Sequence, residues 1–156
     1  MGQTISVSAQ IEIEASLAVV HSIFMDFARY KEWHECWTVE VVDRNKRPAD
    51  LKVGDQLRVN MRGMPMVFHP YVGGNSSESF VWEERLPGIL YGRHHFIFAS
   101  SEVTPGGTTF IQREDFQGSV TVFFSQKSAN DRGVSANWEA FNQALKKEAE
   151  RVVALA

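Results

Sequence analysis

The chain has 156 residues, 44% of them hydrophobic and 22% charged, which is the make-up of one ordinary domain able to bury about 70% of its extended surface. That composition excludes disorder and collagen-like repeats, and a net charge of -3 gives no general attraction to nucleic acid or to anionic membranes. The single cysteine, Cys36, excludes an internal disulfide, and no apolar stretch reaches the ~18 residues of a membrane span.

The N-terminus lacks the apolar core of a signal peptide, so the expectation is one cytoplasmic domain over 1–156, monomeric or homodimeric, with no nucleic-acid or membrane partner. Met1-Gly2-Gln3-Thr4-Ile5-Ser6 fits the N-myristoylation pattern, but no basic cluster follows to supply a second anchor.

Ile5, Val7, Ala9, Ile11 and Ile13 alternate with polar residues and predict a long half-buried strand. Ser16 then caps a helix whose apolar positions Leu17, Val20, Phe24 and Phe27 run on toward Tyr30 and Trp33, with a break near Asp26. Strands follow over Trp37–Val42, Gln56–Met61, Met66–Val72, Ser79–Glu84, Tyr91–Ser101 and Thr108–Val122, the last two joined by a turn at Pro105-Gly106-Gly107. Trp138, Phe141, Leu145, Ala149 and Val152 recur at helical spacing and predict a long final helix. The order is α+β, with helices packed on one face of a curved antiparallel sheet.

Alternation sorts the last hairpin into two faces. His94, Phe96 and Phe98 share one face with Phe110, Gln112, Glu114 and Phe116, a mixture of apolar bulk and a few polar groups that suits a pocket. His95, Arg113 and Asp115 fall on the other. A turn centred near Pro105-Gly106 places His94 opposite or nearly opposite Glu114. Two readings fit the pair: a carboxylate that raises the imidazole pKa for acid–base work, or a buried ion pair that only fixes register. Asn142, on the buried side of the final helix, needs a partner from the sheet or from a ligand.

Tyr30 to Trp37 concentrates aromatic and ionisable residues where helix gives way to strand, a common place for a cavity mouth, and His34 is a second catalytic candidate there. If extended, His34 and Cys36 share a face, although nothing supplies the third group of a nucleophilic triad and a lone buried cysteine is usually a small hydrophobe. His21, His34, His69, His94 and His95 show no metal-ligand spacing, and no glycine-rich phosphate loop is present, so neither a metal nor another cofactor is expected.

Four blocks together resemble one family. Asp26-Phe27-Ala28-Arg29-Tyr30-Lys31-Glu32-Trp33 is similar to the "DFxxYxxW" stretch of the SRPBCC proteins, the START and Bet v 1-like superfamily that includes polyketide cyclases. Gly92-Arg93-His94-His95-Phe96 resembles its "GxHxF", Gly106-Gly107-Thr108 with Glu114-Asp115-Phe116-Gln117-Gly118 its "GGT…ExFxG", and the stretch from Trp138 to Lys146 its "FxxxNxxLK". The resemblance implies a helix-grip fold, in which a curved seven-stranded antiparallel sheet grips a long C-terminal helix, two short helices follow the first strand, and a hydrophobic cavity lies between sheet and helix. His94, Glu114 and Asn142 stand where the family pattern has the same residues. His34-Glu35-Cys36 departs from it, standing where relatives often read Asn-Pro and an aromatic, and His21 occupies a position usually apolar.

The function expected is binding of an apolar small molecule, a polyketide- or terpenoid-like intermediate, with cyclisation or isomerisation by conformational preorganisation and acid–base assistance. Its residues would be His94, Glu114 and His34 for catalysis, with Asn142, Tyr91, Gln112, Phe96, Phe98, Phe110, Trp82, Trp138, Phe141, Val59 and Met61 lining the cavity. The alternatives are a non-catalytic carrier of a lipid, sterol or phenolic ligand, and an interaction module with a filled core.

Overall fold

The computed structural model describes residues 4–64, 66–86, 90–118 and 134–156. The acylation pattern around Gly2, the end of the strand expected to reach Val122 and the loop through Asn130, Asp131 and Gly133 lie outside these residues. In chain order the elements are β1 (Ile5–Ile13), α1 (Leu17–Met25), a 3-10 turn (Phe27–Arg29), α2 (Tyr30–Trp33), β2 (Trp37–Val41), a second 3-10 turn (Pro48–Asp50), β3 (Leu57–Met61), β4 (Val67–Phe68), β5 (Tyr71–Asn75), β6 (Ser79–Leu86), β7 (Leu90–Ser100), β8 (Thr108–Gln117) and α3 (Val134–Ala154). Among the described residues no helix is long and apolar enough to cross a membrane.

The helical pair forms as its sequence dictates. Ser16 is extended and its hydroxyl accepts the Val19 N–H at 3.3 Å, satisfying one of the donors that a helix start leaves open. The chain leaves α1 at Asp26 (φ -85, ψ 69), and the Tyr30 hydroxyl turns back to donate to the Phe24 carbonyl at 2.6 Å. That bond satisfies a carbonyl of the last turn and locks α2 against α1.

All strand pairings are antiparallel, in the orders β1-β8-β7-β6-β5 and β2-β3-β4. The two sheets are joined: the register that pairs Val59 with Phe68 continues to a bridge between Gln56 and Tyr71. Between them stands Pro70, which has no N–H to give the ladder, although its carbonyl still accepts from Leu57 at 2.9 Å. The strand expected over Met66–Val72 is therefore split in two by one imino acid, and the sheet otherwise follows the seven-strand order. At the β7–β8 turn Gly106 has φ 71, and a Cβ on Gly107 would come within 2.7 Å of the Ile13 carbonyl, so the turn depends on glycine.

Inward-facing residues form rows across the strands. From one end they read Glu84–Gly92–Phe116, Trp82–His94–Glu114–Val7, Phe80–Phe96–Gln112–Ala9 and Phe98–Phe110–Ile11. Helix α3 packs on β1 and α1 and buries Trp138, Phe141, Asn142, Leu145 and Ala149 along one stripe. Lys146 folds over the edge of β1, its Nζ donating to the Glu12 carbonyl at 2.9 Å and to Glu150 at 2.6 Å. At the phenylalanine end of the rows the space is filled. There the Phe24 ring meets those of Phe27, Tyr30, Phe80, Phe96, Phe98, Phe110 and Phe141 at centroid distances from 4.8 to 6.4 Å.

Candidate functional site

At the other end of the rows the space is open. Trp82, His94 and Glu114, directly paired across β6, β7 and β8, form one wall of a cavity of about 290 Å³. Val59, Met61, Phe68 and Pro70 face it from β3 and the β4–β5 strand, Trp138 from α3, and Glu84, Gly92 and Phe116 from the last inward row. Met64 and Met66, both largely exposed, stand at its rim.

His94 is 1% exposed, stacked on Phe96 at 4.1 Å and 11° and flanked by Trp138 at 4.8 Å. Its Nε2 lies 3.1 Å from Gln112 Oε1. The Gln112 amide nitrogen donates in turn to Asn142 Oδ1 at 2.7 Å and to the Trp138 backbone carbonyl at 3.3 Å. A backbone carbonyl can only accept, so it fixes which end of the Gln112 amide faces the helix and which faces His94. The proton of the neutral imidazole therefore sits on Nε2. Its Nδ1 lone pair is left 3.5 Å from Glu114 Oε2.

Burial dominates the protonation of this pair. It pushes His94 down to about 3, against the opposing pull of the Gln112 hydrogen bond, with His95 adding a small push the same way. Burial, with smaller pushes the same way from the carboxyls of Glu84 and Asp115, lifts Glu114 to about 8. Near neutral pH the pair is a neutral imidazole beside a carboxylic acid. The sequence-based expectation of a raised imidazole pKa is thus corrected, as is the ion-pair alternative. Burying either charge costs more than a contact at 3.5 Å returns.

Gly92 makes room for that acid, since a Cβ at this position would lie 3.0 Å from Glu114 Oε1. Among the described residues, Glu84 is the carboxyl of the cavity that the sequence did not single out, and burial raises its pKa. The signal was there: Phe80, Trp82 and Glu84 alternate, so the two aromatics carry the acid inward with them.

Of the residues expected to line the cavity, Trp82, Trp138, Val59 and Met61 do so with His94 and Glu114. The others are placed elsewhere. Phe96, Phe98, Phe110 and Phe141 are packed into the aromatic cluster around Phe24. Gln112 and Asn142 stand behind His94 and bond to each other, tying sheet to helix. Tyr91 is turned to the outer face by the alternation that turns His94 inward, and the Arg85 guanidinium lies 5.4 Å over its ring.

His34 is also displaced from its expected place at the mouth. It is buried among Tyr30, Trp33, Trp37 and Phe141 and is not part of the cavity wall. Its Nδ1 accepts the Cys36 backbone N–H at 3.1 Å, so the lone pair that would activate a thiol is already used. Burial lowers His34 to about 4 and raises the Cys36 thiol, both away from a nucleophilic pair. His21, the other departure, donates from Nε2 to the Ser76 carbonyl (3.1 Å) and packs edge-on against Phe98, pinning α1 to the β5–β6 turn.

Comparison with known proteins supports the architecture. No family model matches the chain, and no curated protein matches it. Among solved structures it is similar to a START superfamily protein from Mycobacterium smegmatis (19% identity, TM-score 0.65, 94% of this chain and 98% of that one). It is also similar to the Zhui aromatase/cyclase from Streptomyces (14%, 0.69, 97% and 96%). A third is norcoclaurine synthase from Thalictrum flavum in complex with dopamine and hydroxybenzaldehyde (10%, 0.69, 96% and 88%). At these identities the likeness is one of fold: the chain adopts the helix-grip fold of START and Bet v 1-like proteins.

Proposed function

We propose that the protein binds a small, largely apolar molecule between α3 and the sheet and catalyses its cyclisation or isomerisation by proton transfer at a carbonyl. The observation that carries this reading is the uncharged pair of Glu114 and His94 set among mostly apolar side chains. A carboxyl held near 8 is protonated at neutral pH and is still a usable acid, the condition for general acid catalysis. Glu114 donates to a substrate carbonyl oxygen, and its carboxylate, once formed, takes the proton from the adjacent carbon. His94 is too weak a base for that step. It acts as a positioning residue, its Nδ1 holding the Glu114 hydroxyl only in the empty site and releasing it to the substrate carbonyl, while Gln112 and the Trp138 carbonyl hold its tautomer. The walls of Trp82, Trp138 and Phe116 exclude water and fold the substrate, which supplies proximity. Two of the solved neighbours are named for ring-forming or synthase chemistry, which fits a polyketide- or terpenoid-like intermediate as the substrate.

The carrier reading is favoured by a different observation: Gln112, Asn142 and His94 are satisfied by one another, as polar groups of a purely structural network would be. A filled interaction module is not favoured, since it predicts no cavity. The readings separate on deuterium exchange at the methyl group of acetophenone in heavy water, followed by NMR. The enzyme exchanges it above the buffer rate, and Glu114→Gln lowers that rate at least ~100-fold while retaining affinity for the ketone. Exchange equal in wild type and Glu114→Gln overturns the catalytic role, and binding without exchange leaves the carrier.

A further inference from the structure

Among the described residues the ionisable side chains of the cavity wall are two acids, Glu84 and Glu114, and one imidazole, the neutral His94, with no lysine or arginine. The basic residues of the same strands, Arg85, Arg93 and Arg113, lie on the outer face, where they pair with Glu83 and Asp115. Glu84 faces His94 from β7 and Glu114 from β8, and only uncharged groups from β3, β4, β5 and α3. Among the described residues its carboxyl makes no hydrogen bond and no ion pair. Glu114 has at least the His94 contact, whereas among the described residues the Glu84 carboxyl meets only the like carboxyl of Glu114.

A part-buried carboxyl without a partner is costly, and a ligand can supply the partner that the described residues do not. The surroundings specify that partner. The rings of Trp82, Trp138, Phe116 and Phe68 present faces and edges to the same space, and an ammonium beside aromatic rings and a carboxylate is stabilised by both. Among the described residues a carboxylate or phosphate ligand would face two acids and no cation, which disfavours fatty acids and phosphorylated intermediates.

Resting on the cavity reading above, we propose that Glu84 is the specificity-determining residue of the site and selects ligands that carry an ammonium group on an aromatic body, an arylalkylamine in chemical class. The cation pairs with the Glu84 carboxylate while the ring fills the apolar end against Trp138. Both acids hold protons more tightly in the empty cavity than a free carboxyl does, because burial opposes their ionisation. An arriving cation favours ionisation, and the proton displaced near neutral pH is that of Glu114, which the empty cavity holds at about 8.

The test compares phenethylamine with phenethyl alcohol, its neutral near-isostere, by titration calorimetry near neutral pH. The amine binds at least ~10-fold tighter, and its apparent enthalpy varies with the ionisation enthalpy of the buffer, which reports proton release; the alcohol shows no such dependence. Glu84→Gln keeps the volume, brings the two affinities within about threefold and leaves that of the alcohol in place. Equal affinities in wild type, or a preference that survives Glu84→Gln, overturn the selector role and leave the cavity reading intact. Binding of neither probe overturns both.

Discussion

The interior beneath α3 has two ends built on the same strands and gripped by the same helix, yet one is solid and the other hollow. At the solid end the inward positions of β6, β7 and β8 are Phe80, Phe96, Phe98 and Phe110, and Phe24 enters from α1 to fill the centre. At the hollow end the same columns read Trp82, Glu84, Gly92, His94 and Glu114, and no ring from α1 is packed among them. The helix continues across both. What differs is whether a third layer inserts between helix and sheet, and that is decided by α1 and α2, which cover only one end.

Removing the insert is the strongest way to break this contrast. Phe24→Ala deletes a ring surrounded by seven others and costs about 3–5 kcal/mol of unfolding free energy by chemical denaturation. Met61→Ala enlarges a space that is already empty and falls at or below the low end of the ~2–5 kcal/mol range for such truncations. Equal losses would mean that the two ends are packed alike.

Next in size is the polar seam between the ends. Gln112→Leu leaves the His94 Nε2 proton without its acceptor and the Trp138 carbonyl and Asn142 amide without a shared donor, which costs about 1–3 kcal/mol. It also frees the imidazole to change tautomer. Nitrogen NMR of His94 reports the proton on Nε2 in wild type and a mixture in the variant. A single unchanged tautomer would show that something other than Gln112 holds it.

The seam and the solid end differ in how legible they were. Strand faces, helix stripe and the His94–Glu114 register all follow from local periodicity and one turn, so they could be read from residues alone. Which inward residues touch a void depends on where α1 crosses the sheet, a long-range fact that no spacing encodes; hence Phe96, Phe98, Phe110 and Phe141 were expected at a cavity and belong to a core. The protonation of the pair was misjudged for a related reason. Pairing distance is set by register, whereas desolvation is set by everything packed around it. Glu84 lies between these cases, since alternation placed it inward and only its charge argued otherwise.

A smaller effect sharpens the hollow end. Glu114 titrates at about 8 in the folded chain against an ordinary 4.5, so the folded state binds the extra proton between those values and stability falls as pH rises through them. His94, lowered to about 3 from 6.5, gives the opposite slope, with stability lost as pH falls from 6.5 toward 3. The two oppose each other up to 6.5, and above it only the acid acts. Glu114→Gln therefore flattens the decline between pH 6.5 and 8, a slope on the order of 1 kcal/mol per pH unit at most. A decline that persists in the variant would place its origin in another group.

The smallest effect comes from the other buried imidazole, and it tests whether burial or partnership decides a histidine's worth. His94 has partners at Nε2 and Nδ1, whereas His34 uses Nδ1 on the Cys36 N–H and has no partner at Nε2. His34→Phe gives up one hydrogen bond but also removes an unsatisfied donor from a nest of Tyr30, Trp33, Trp37 and Phe141, so at neutral pH the change stays within about 1 kcal/mol. In acid the balance moves. His34 is held at about 4 in the folded state against 6.5 when free, so wild type loses stability as pH falls from 6.5 to 4, and the phenylalanine cannot. Denaturation at pH 5 should find His34→Phe gaining on wild type relative to pH 7. An unchanged difference between the two pH values would mean that His34 titrates normally and that its surroundings admit water.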